Sequence, residues 1–151
     1  MSRRKTAKRA ARSQPEPIVP VHCSVTYDGH HCLIGLELNP APASRPRVTR
    51  WGTYYLPTYQ RWMDTAIASL PAAEAPLLGA LRLEATFGVR KPKSSKLSRP
   101  KGDIDNYLKG IMDVLTKQGY WRDDSDVTVV HAAKAFAPAG HCIVRIIGER
   151  A

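Results

Sequence analysis

The sequence predicts an α/β (α+β) fold: a single compact domain with a small mixed sheet of about four strands and two main helices. Its 151 residues are enough for one hydrophobic core and too few for two. Segments in which apolar residues alternate are interspersed with two segments of helical period. The composition, 43% hydrophobic and 24% charged, is that of a folded soluble protein. Because no apolar run approaches the roughly 18 residues of a membrane span, we expect no membrane contact.

The net charge of +10 is unevenly distributed. Residues 1–17 contain six Lys or Arg and one Glu, with no bulky apolar residue before Ile18. We therefore predict a basic disordered tail over residues 1–20 and a folded domain over 21–151. The tail is either a solubilising segment, an arm that binds nucleic acid or a targeting segment. The basic surplus of the whole chain favours a polyanionic partner.

The three cysteines, Cys23, Cys32 and Cys142, are odd in number and form no CxxC pair. This pattern favours a reducing compartment over a disulfide framework. Each cysteine has an adjacent or nearby histidine, so a zinc site is the alternative, but the spacings match no common ligand pattern. Ordinary strand or loop residues are the preferred interpretation.

The first half of the chain contains one predicted strand and one predicted helix. Residues 32–39 form a short apolar run typical of a strand. Residues 40–57 are rich in Pro, Gly, Arg and aromatic residues, which indicates an exposed, fairly rigid loop. Residues 58–70 have apolar positions at mostly helical spacing, with Thr58 as the N-cap and Pro71 beyond the end.

The second half contains three predicted strands and the second helix. Residues 81–89 alternate apolar and polar side chains, as in a half-buried strand. Residues 90–102 carry six cations and no acid, which indicates a flexible basic loop. After the helix come strands over 126–136 and 142–149, which are predicted to pair as an antiparallel hairpin because the connection is short.

The second helix, within residues 102–115, has an apolar stripe at i, i+4, i+7 and i+11. Ile104, Leu108, Ile111 and Leu115 form this stripe, which we predict to be the core face. A polar group falls within about 100° on another side of the helix. Its members are Asp105, Asn106, Lys109 and Asp113, with Asp103 at or just before the N-cap.

Ordinary helix chemistry accounts for each of these polar residues singly, through N-capping, the helix dipole and i, i+4 ion pairs. The combination with Asp123, Asp124 and Asp126 is harder to explain, because closely packed like charges repel unless a cation lies between them. Hard oxygen ligands suit Mg²⁺ or Mn²⁺. A calcium-binding EF-hand loop is not indicated, because residues 123–130 lack its Gly and its terminal Glu. Together with Lys109 and the basic loops, this pattern is typical of a metal-dependent phosphodiester site.

The sequence resembles the RusA-type Holliday-junction resolvases, in particular phage and prophage variants, from about Leu36 to Ile146. The similarity centres on "KGDIDNYLKGIMDVLTKQGYWRDDSDV", residues 101–127, which is similar to the family's D-x-D-N-x-x-K-x-x-x-D helix followed by a turn and an Asp-Asp pair. It extends to "RPRVTRWGTYYLP", residues 45–57, and to Lys134. The long basic tail is a departure from the family pattern.

This resemblance implies a homodimeric endonuclease that uses Mg²⁺, with Mn²⁺ as a substitute, to cut four-way DNA junctions symmetrically in recombination and repair. It implies a cytoplasmic protein of a bacterium or of a phage-infected host cell. The implied metal ligands, which also count as catalytic, are Asp103, Asp105 and Asp124. The implied catalytic lysine is Lys109. Supporting positions are Asn106, Asp113, Asp123 and Lys134.

Cations on both sides of the acidic helix are candidates for DNA backbone contacts, with a merely solvated basic loop as the alternative. They are Arg45, Arg47, Arg50, Lys91, Lys93, Lys96, Arg99 and Lys101. Trp51 and Tyr54 either stack on bases or serve packing between proteins. Two other functions stay open: a non-catalytic basic nucleic-acid-binding module, and a metal-dependent nuclease for other branched DNA or for RNA.

Overall fold

The computed structural model describes residues 14–150, of which Arg150 is described in its backbone only. The strands and helices follow one another in the order β1 (Cys23–Asp28), β2 (His31–Leu36), β3 (Arg47–Thr49), β4 (Gly52–Tyr54), α1 (Pro57–Ser69), β5 (Leu77–Arg90), α2 (Ile104–Lys117), β6 (Val127–Ala137) and β7 (His141–Arg150). A single turn of 3₁₀ helix, Asp124–Asp126, precedes β6. The mixed α+β class and the two helices are confirmed.

The main sheet has five strands in the order β1-β2-β7-β5-β6. Among these described strands, β5 and β6 run parallel and the other neighbours are antiparallel. The additional strand relative to the sequence prediction is β1, which turns into β2 at Gly29 with a positive φ of 56°. A separate two-stranded hairpin, β3–β4, occupies part of the segment 40–57 that was predicted to be an exposed loop, and its strand residues are indeed exposed.

The two helices pack on one face of the sheet and enclose the core. Large side chains buried there include Tyr59 of α1, Phe87 of β5 and Trp121. Trp121 follows α2 and donates from Nε1 to the Thr116 hydroxyl at 2.7 Å. Aromatic burial of this size is a major part of the hydrophobic stabilisation. The core therefore fixes the position of α2, the helix that carries the acidic motif.

The buried face of α2 is rotated from the predicted stripe. Ile111 and Leu115 are buried as expected, but Ile104 is 36% exposed. Tyr107 takes the core position instead, with its ring 5.7 Å from that of Phe87. The difference arises because Ile104 lies at the first helical position, at the margin of the packed layer, where its side chain is only partly covered.

The predicted N-cap of α1, Thr58, is wrong. The N-cap is Leu56, and Pro57 occupies the first helical turn. Proline suits this position because its fixed φ is helical and its missing N–H would have no intrahelical acceptor there. The helix ends before Pro71, as predicted.

The predicted β6–β7 hairpin is also wrong. Both strands pair with β5, which lies between them, parallel to β6 and antiparallel to β7. Residues 138–140 must therefore cross one strand, a distance of about 10 Å that a short extended connection can span. In this arrangement the long apolar strand β5 forms hydrogen bonds on both edges. The short connection between β6 and β7, from which the hairpin was predicted, does not show this pairing.

The predicted basic tail falls largely on residues 1–13, which lie outside the described residues. The described part of it, residues 14–20, has no helix or strand and is exposed. Arg61 of α1 holds this part through the carbonyl oxygens of Glu16 and Pro17, at 3.1 and 3.3 Å. Within residues 14–150, no helix has the length and apolar character needed to cross a bilayer.

Candidate active site

The acidic motif begins at the N-terminus of α2, where Asp103 is the N-cap. Its backbone is extended, with φ −79° and ψ 142°, and its carbonyl oxygen accepts the first helical hydrogen bonds from Asn106 and Tyr107. Its carboxylate makes no capping hydrogen bond to the helix, although an N-cap aspartate ordinarily does. Helix capping therefore does not account for the Asp103 carboxylate, which is exposed and available for other chemistry.

The loop that leads into Asp103 is fastened by Lys134 of β6. The Lys134 ammonium donates to the carbonyl oxygens of Pro100, at 3.0 Å, and of Gly102. It also lies 5.9 Å from the centroid of the Tyr107 ring, whose hydroxyl donates to the carbonyl of Lys101 at 2.7 Å. Lys134 thus binds backbone carbonyls of the loop before α2.

Lys109 is held by an acid one helical turn further along. Its ammonium donates to Asp113 Oδ1 at 2.7 Å, and Asp113 Oδ2 accepts from the Tyr59 hydroxyl of α1 at 3.3 Å. The hydrogen bond to Asp113 raises the pKa of Lys109, with Coulombic contributions from Asp113 and Asp124 in the same direction. Burial, and then Asp113, raise the pKa of Tyr59 far above its usual range, so that its hydroxyl stays a donor. Lys109 is consequently a fixed, protonated cation.

Two adjoining clefts share Lys109 and Asp113. We call the larger, of about 260 Å³, the lysine cleft; Asp124 and Tyr55 also line it. The smaller, of about 160 Å³, brings in Asn106 and Arg45. The structure therefore gathers the predicted lysine, one predicted metal ligand, two supporting residues and one predicted DNA contact.

The Asp-Asp pair before β6 divides into two roles. The Asp123 carboxylate accepts from the backbone N–H of Ser125 at 2.8 Å and caps the 3₁₀ turn. This hydrogen bond lowers the pKa of Asp123. The turn directs the next residue, Asp124, toward the lysine cleft. These contacts support a capping role for Asp123.

The carboxylates of the three predicted metal ligands do not line one common cleft. Asp103 lines two other clefts beyond the N-terminus of α2, Asp124 lines the lysine cleft, and Asp105 accepts from the Asn106 N–H at 3.0 Å. Within residues 14–150, no three His, Cys, Asp or Glu side chains are placed to hold a common metal ion. The assignment of Asp103, Asp105 and Asp124 as metal ligands stays a prediction, and the same finding gives no support to a zinc site.

The predicted DNA-contact cations are all on the surface. Arg47 and Arg50 belong to the β3–β4 hairpin, Arg45 lies two residues before it, and the others belong to the loop between β5 and α2. Arg99 and Lys101 line the cleft that also contains Asp103 and Lys134. Two of the cations cover aromatic rings: Arg50 lies 4.7 Å from the Trp51 centroid and Lys91 5.4 Å from that of Phe136.

Three tyrosines of the site were not anticipated. Tyr55 lines both clefts at Lys109, Tyr59 bonds to Asp113, and Tyr107 fastens the loop before Asp103. The rings of Tyr55 and Tyr59 pack edge to face, with their centroids 5.3 Å apart. Nothing in the sequence indicates that a tyrosine of α1 reaches an aspartate of α2.

Most of this chain matches the sequence model of one known protein family. Residues 37–147, most of the sequence and all of the site just described, match the family Endodeoxyribonuclease RusA. The chain belongs to this family. No individual curated protein matches it. Membership in the RusA family supports a nuclease that hydrolyses phosphodiester bonds, and implies activity on Holliday junctions.

Proposed function

We propose that the protein is a structure-specific endonuclease that resolves four-way DNA junctions by Mg²⁺-dependent hydrolysis in recombination and repair. The observation that carries the proposal is the fixed Lys109 cation in a cleft shared with Asp124, on the helix that the RusA family match covers. A protonated lysine held by a partly buried acid is suited to stabilise negative charge on a reacting phosphate.

The donor chemistry of the site fits a hard divalent cation. Asp103, Asp105 and Asp124 offer exposed carboxylate oxygens, and the Asp103 carboxylate is not engaged in capping. Mg²⁺ binds proteins through few carboxylates and keeps water and substrate oxygens as its remaining ligands. When bound, such an ion supplies water activation and stabilisation of the leaving 3′ oxygen. These three aspartates are the residues that would hold it.

Lys109 acts directly on the scissile phosphate in this proposal. Asp113 and Tyr59 restrict its side chain, so less conformational entropy is lost when the ammonium meets a nonbridging oxygen. Lys134 has a positioning role, because it holds the loop that ends at Asp103. The backbone carbonyl at Asn106 accepts from the Ala43 N–H at 2.9 Å and so ties the segment before β3 to α2.

The surface cations bind the flanking DNA backbone in the proposed complex. Arg45 lines the smaller cleft at Lys109, and Arg99 and Lys101 line the cleft that contains Asp103. Neutralisation of phosphates releases counterions, so binding should weaken steeply with salt. Symmetric cleavage of a two-fold substrate calls for a homodimer with one site per subunit. We place the protein in the cytoplasm of a bacterium or of a phage-infected host cell, where recombination can supply this substrate.

One observation favours a second candidate function. The carboxylates are not assembled into a metal cluster within the described residues, as would be expected of a basic module that binds branched DNA without cutting it. In that case the acids serve only the helix and its ion pairs.

Cleavage of an end-labelled four-way junction, beside matched duplex and with Mg²⁺ or EDTA, separates these functions. Wild type should make symmetric, metal-dependent nicks at the junction, and Asp105→Asn should bind it with equal or higher affinity without cutting. Asp64→Asn is the matched control, because Asp64 is an exposed acid of α1 that accepts from Gln60 at 2.9 Å. Binding without cleavage by wild type would establish the non-catalytic module, and residual cutting by Asp105→Asn with lost affinity would refute the assigned role.

A further inference from the structure

The β3–β4 hairpin, residues 47–54, presents an apolar surface that the core does not use. Trp51 at its tip is 84% exposed and Val48 is 79% exposed. The other two tryptophans of the protein, Trp62 and Trp121, are 6% and 1% exposed. Exposed large side chains that gather on one projecting element mark an interaction site more often than a lone exposed residue does.

The hairpin holds Trp51 in a defined turn. The Thr49 hydroxyl accepts from the Trp51 N–H at 3.2 Å and donates to the Gly52 carbonyl at 3.1 Å. Gly52 has a φ of 129°, a conformation that residues other than glycine rarely adopt. Arg50 lies over the Trp51 ring, 4.7 Å from its centroid. The ring is therefore presented by a tight turn and carries a cation on one face.

The base of the hairpin is tied to the active-site helix. The Ala43 N–H donates to the Asn106 carbonyl of α2 at 2.9 Å, and the Leu56 N–H donates to the Ser44 hydroxyl at 3.3 Å. Tyr55, directly after β4, lines the lysine cleft. Four residues of extended chain, about 13 Å, separate it from Trp51. The tip thus lies within a few nucleotides' length of a phosphate bound at Lys109.

The charge around the hairpin favours a nucleic acid over a basic or neutral partner. Residues 38–63 contain four arginines and no acidic residue. An aromatic ring beside arginines is the combination with which proteins stack on unpaired bases, because every base has a π face and the guanidinium groups meet the phosphates.

We propose that Trp51 stacks on an unpaired base at the branch point of the DNA held in the lysine cleft, and that Arg47 and Arg50 bind its flanking phosphates. This inference rests on the proposed function. In continuous duplex the bases are already stacked and exposure of one is costly, whereas a branch point offers bases at lower cost. Trp51 is then a residue that determines specificity for branched over duplex DNA.

Binding and tryptophan emission measured together test this role, in EDTA so that no cutting occurs. Junction and matched duplex are titrated into wild type, Trp51→Ala, Trp51→Phe and the matched control Val129→Ala, an exposed valine of β6 outside the hairpin. Removal of one base–aromatic stack should weaken junction binding about 5- to 100-fold in Trp51→Ala. Trp51→Phe keeps an aromatic ring and should retain most of the affinity, and Val129→Ala should stay close to wild type. Duplex affinity should change less than junction affinity in Trp51→Ala.

Fluorescence identifies the contact itself, since Trp51 is the exposed tryptophan. Its emission should be quenched by acrylamide in the free protein and shielded when junction is bound, and this response should vanish in Trp51→Ala. Junction affinity of Trp51→Ala equal to that of wild type, or an equal loss for junction and duplex, would overturn the inference. So would a lower mass of Trp51→Ala by light scattering, which would assign the hairpin to contact between two copies of the chain.

The wild type separates this inference from the proposed function. If wild type cuts the junction and Trp51→Ala binds it equally well, only the stacking role fails. If wild type neither binds nor cuts the junction, the proposed function fails and the stacking role with it.

Discussion

Lys134→Met tests whether the loop before α2 is part of the catalytic apparatus. Methionine keeps an unbranched apolar stem of similar length but donates no hydrogen bond. The variant loses the bonds from the ammonium to the carbonyl oxygens of Pro100 and Gly102. It also loses the cation over the Tyr107 ring, which is 5.9 Å away.

The expected loss of stability follows from these contacts. A hydrogen bond from a charged donor contributes about 1.5–3 kcal/mol, and a partly buried lysine falls toward the low end of that range. Two such bonds predict a decrease of about 3 kcal/mol in the free energy of unfolding. With a urea dependence of about 2 kcal/mol per molar, the midpoint of unfolding should fall by about 1.5 M.

Activity should fall as well, because the loop must be reordered to place Asp103 in each turnover. If between half and all of the roughly 3 kcal/mol enters the barrier, kcat/KM should decrease by about 10- to 150-fold. Urea denaturation and cleavage kinetics in Mg²⁺, at a temperature where the variant is folded, measure the two effects.

Lys91→Met is the matched control, because Lys91 is an exposed cation whose contact is with the Phe136 ring. It should change stability by less than about 1 kcal/mol. If Lys134→Met had the free energy of unfolding of wild type, the conclusion that Lys134 holds the loop before α2 would be refuted. Reduced stability with unchanged kcat/KM would show that the loop does not position Asp103 for the reaction.

Two further predictions concern the lysine and the cysteines. Asp113→Asn should lower the pKa of Lys109 toward its ordinary 10.5. It should reduce the free energy of unfolding by about 1 kcal/mol, because the hydrogen bonds to Lys109 and Tyr59 are weakened, and it should lower kcat more than it raises KM. An unchanged kcat would contradict the conclusion that Asp113 restrains Lys109. Burial raises the pKa of Cys142 to about 12, whereas Cys23 is partly exposed. Iodoacetamide at neutral pH should therefore label Cys23 first and Cys142 only after denaturation. Mass spectrometry of the labelled protein measures the order. Rapid labelling of Cys142 in the native protein would contradict its place in the core.

The sequence determined the class of the fold, because hydrophobic periodicity is a local property. The alternation over residues 81–89 and the helical stripe of α2 correspond in the structure to β5 and to a helix at nearly the predicted bounds. The short strand β1 was missed although its residues alternate in burial and an Asp-Gly pair, Asp28 and Gly29, stands at its end, a common hairpin signal. The acidic motif likewise identified the family, since its residue types and spacing are read directly from the chain.

Only the tertiary structure decided the sheet order, since the insertion of β5 between β6 and β7 depends on contacts between residues far apart in sequence. It also decided which polar side chains meet. Asp113 joins Lys109 to Tyr59 across two helices, and Lys134 reaches the carbonyls before Asp103 from another strand. The residue types are a property of the chain alone, but their partners depend on how the helices pack on the sheet.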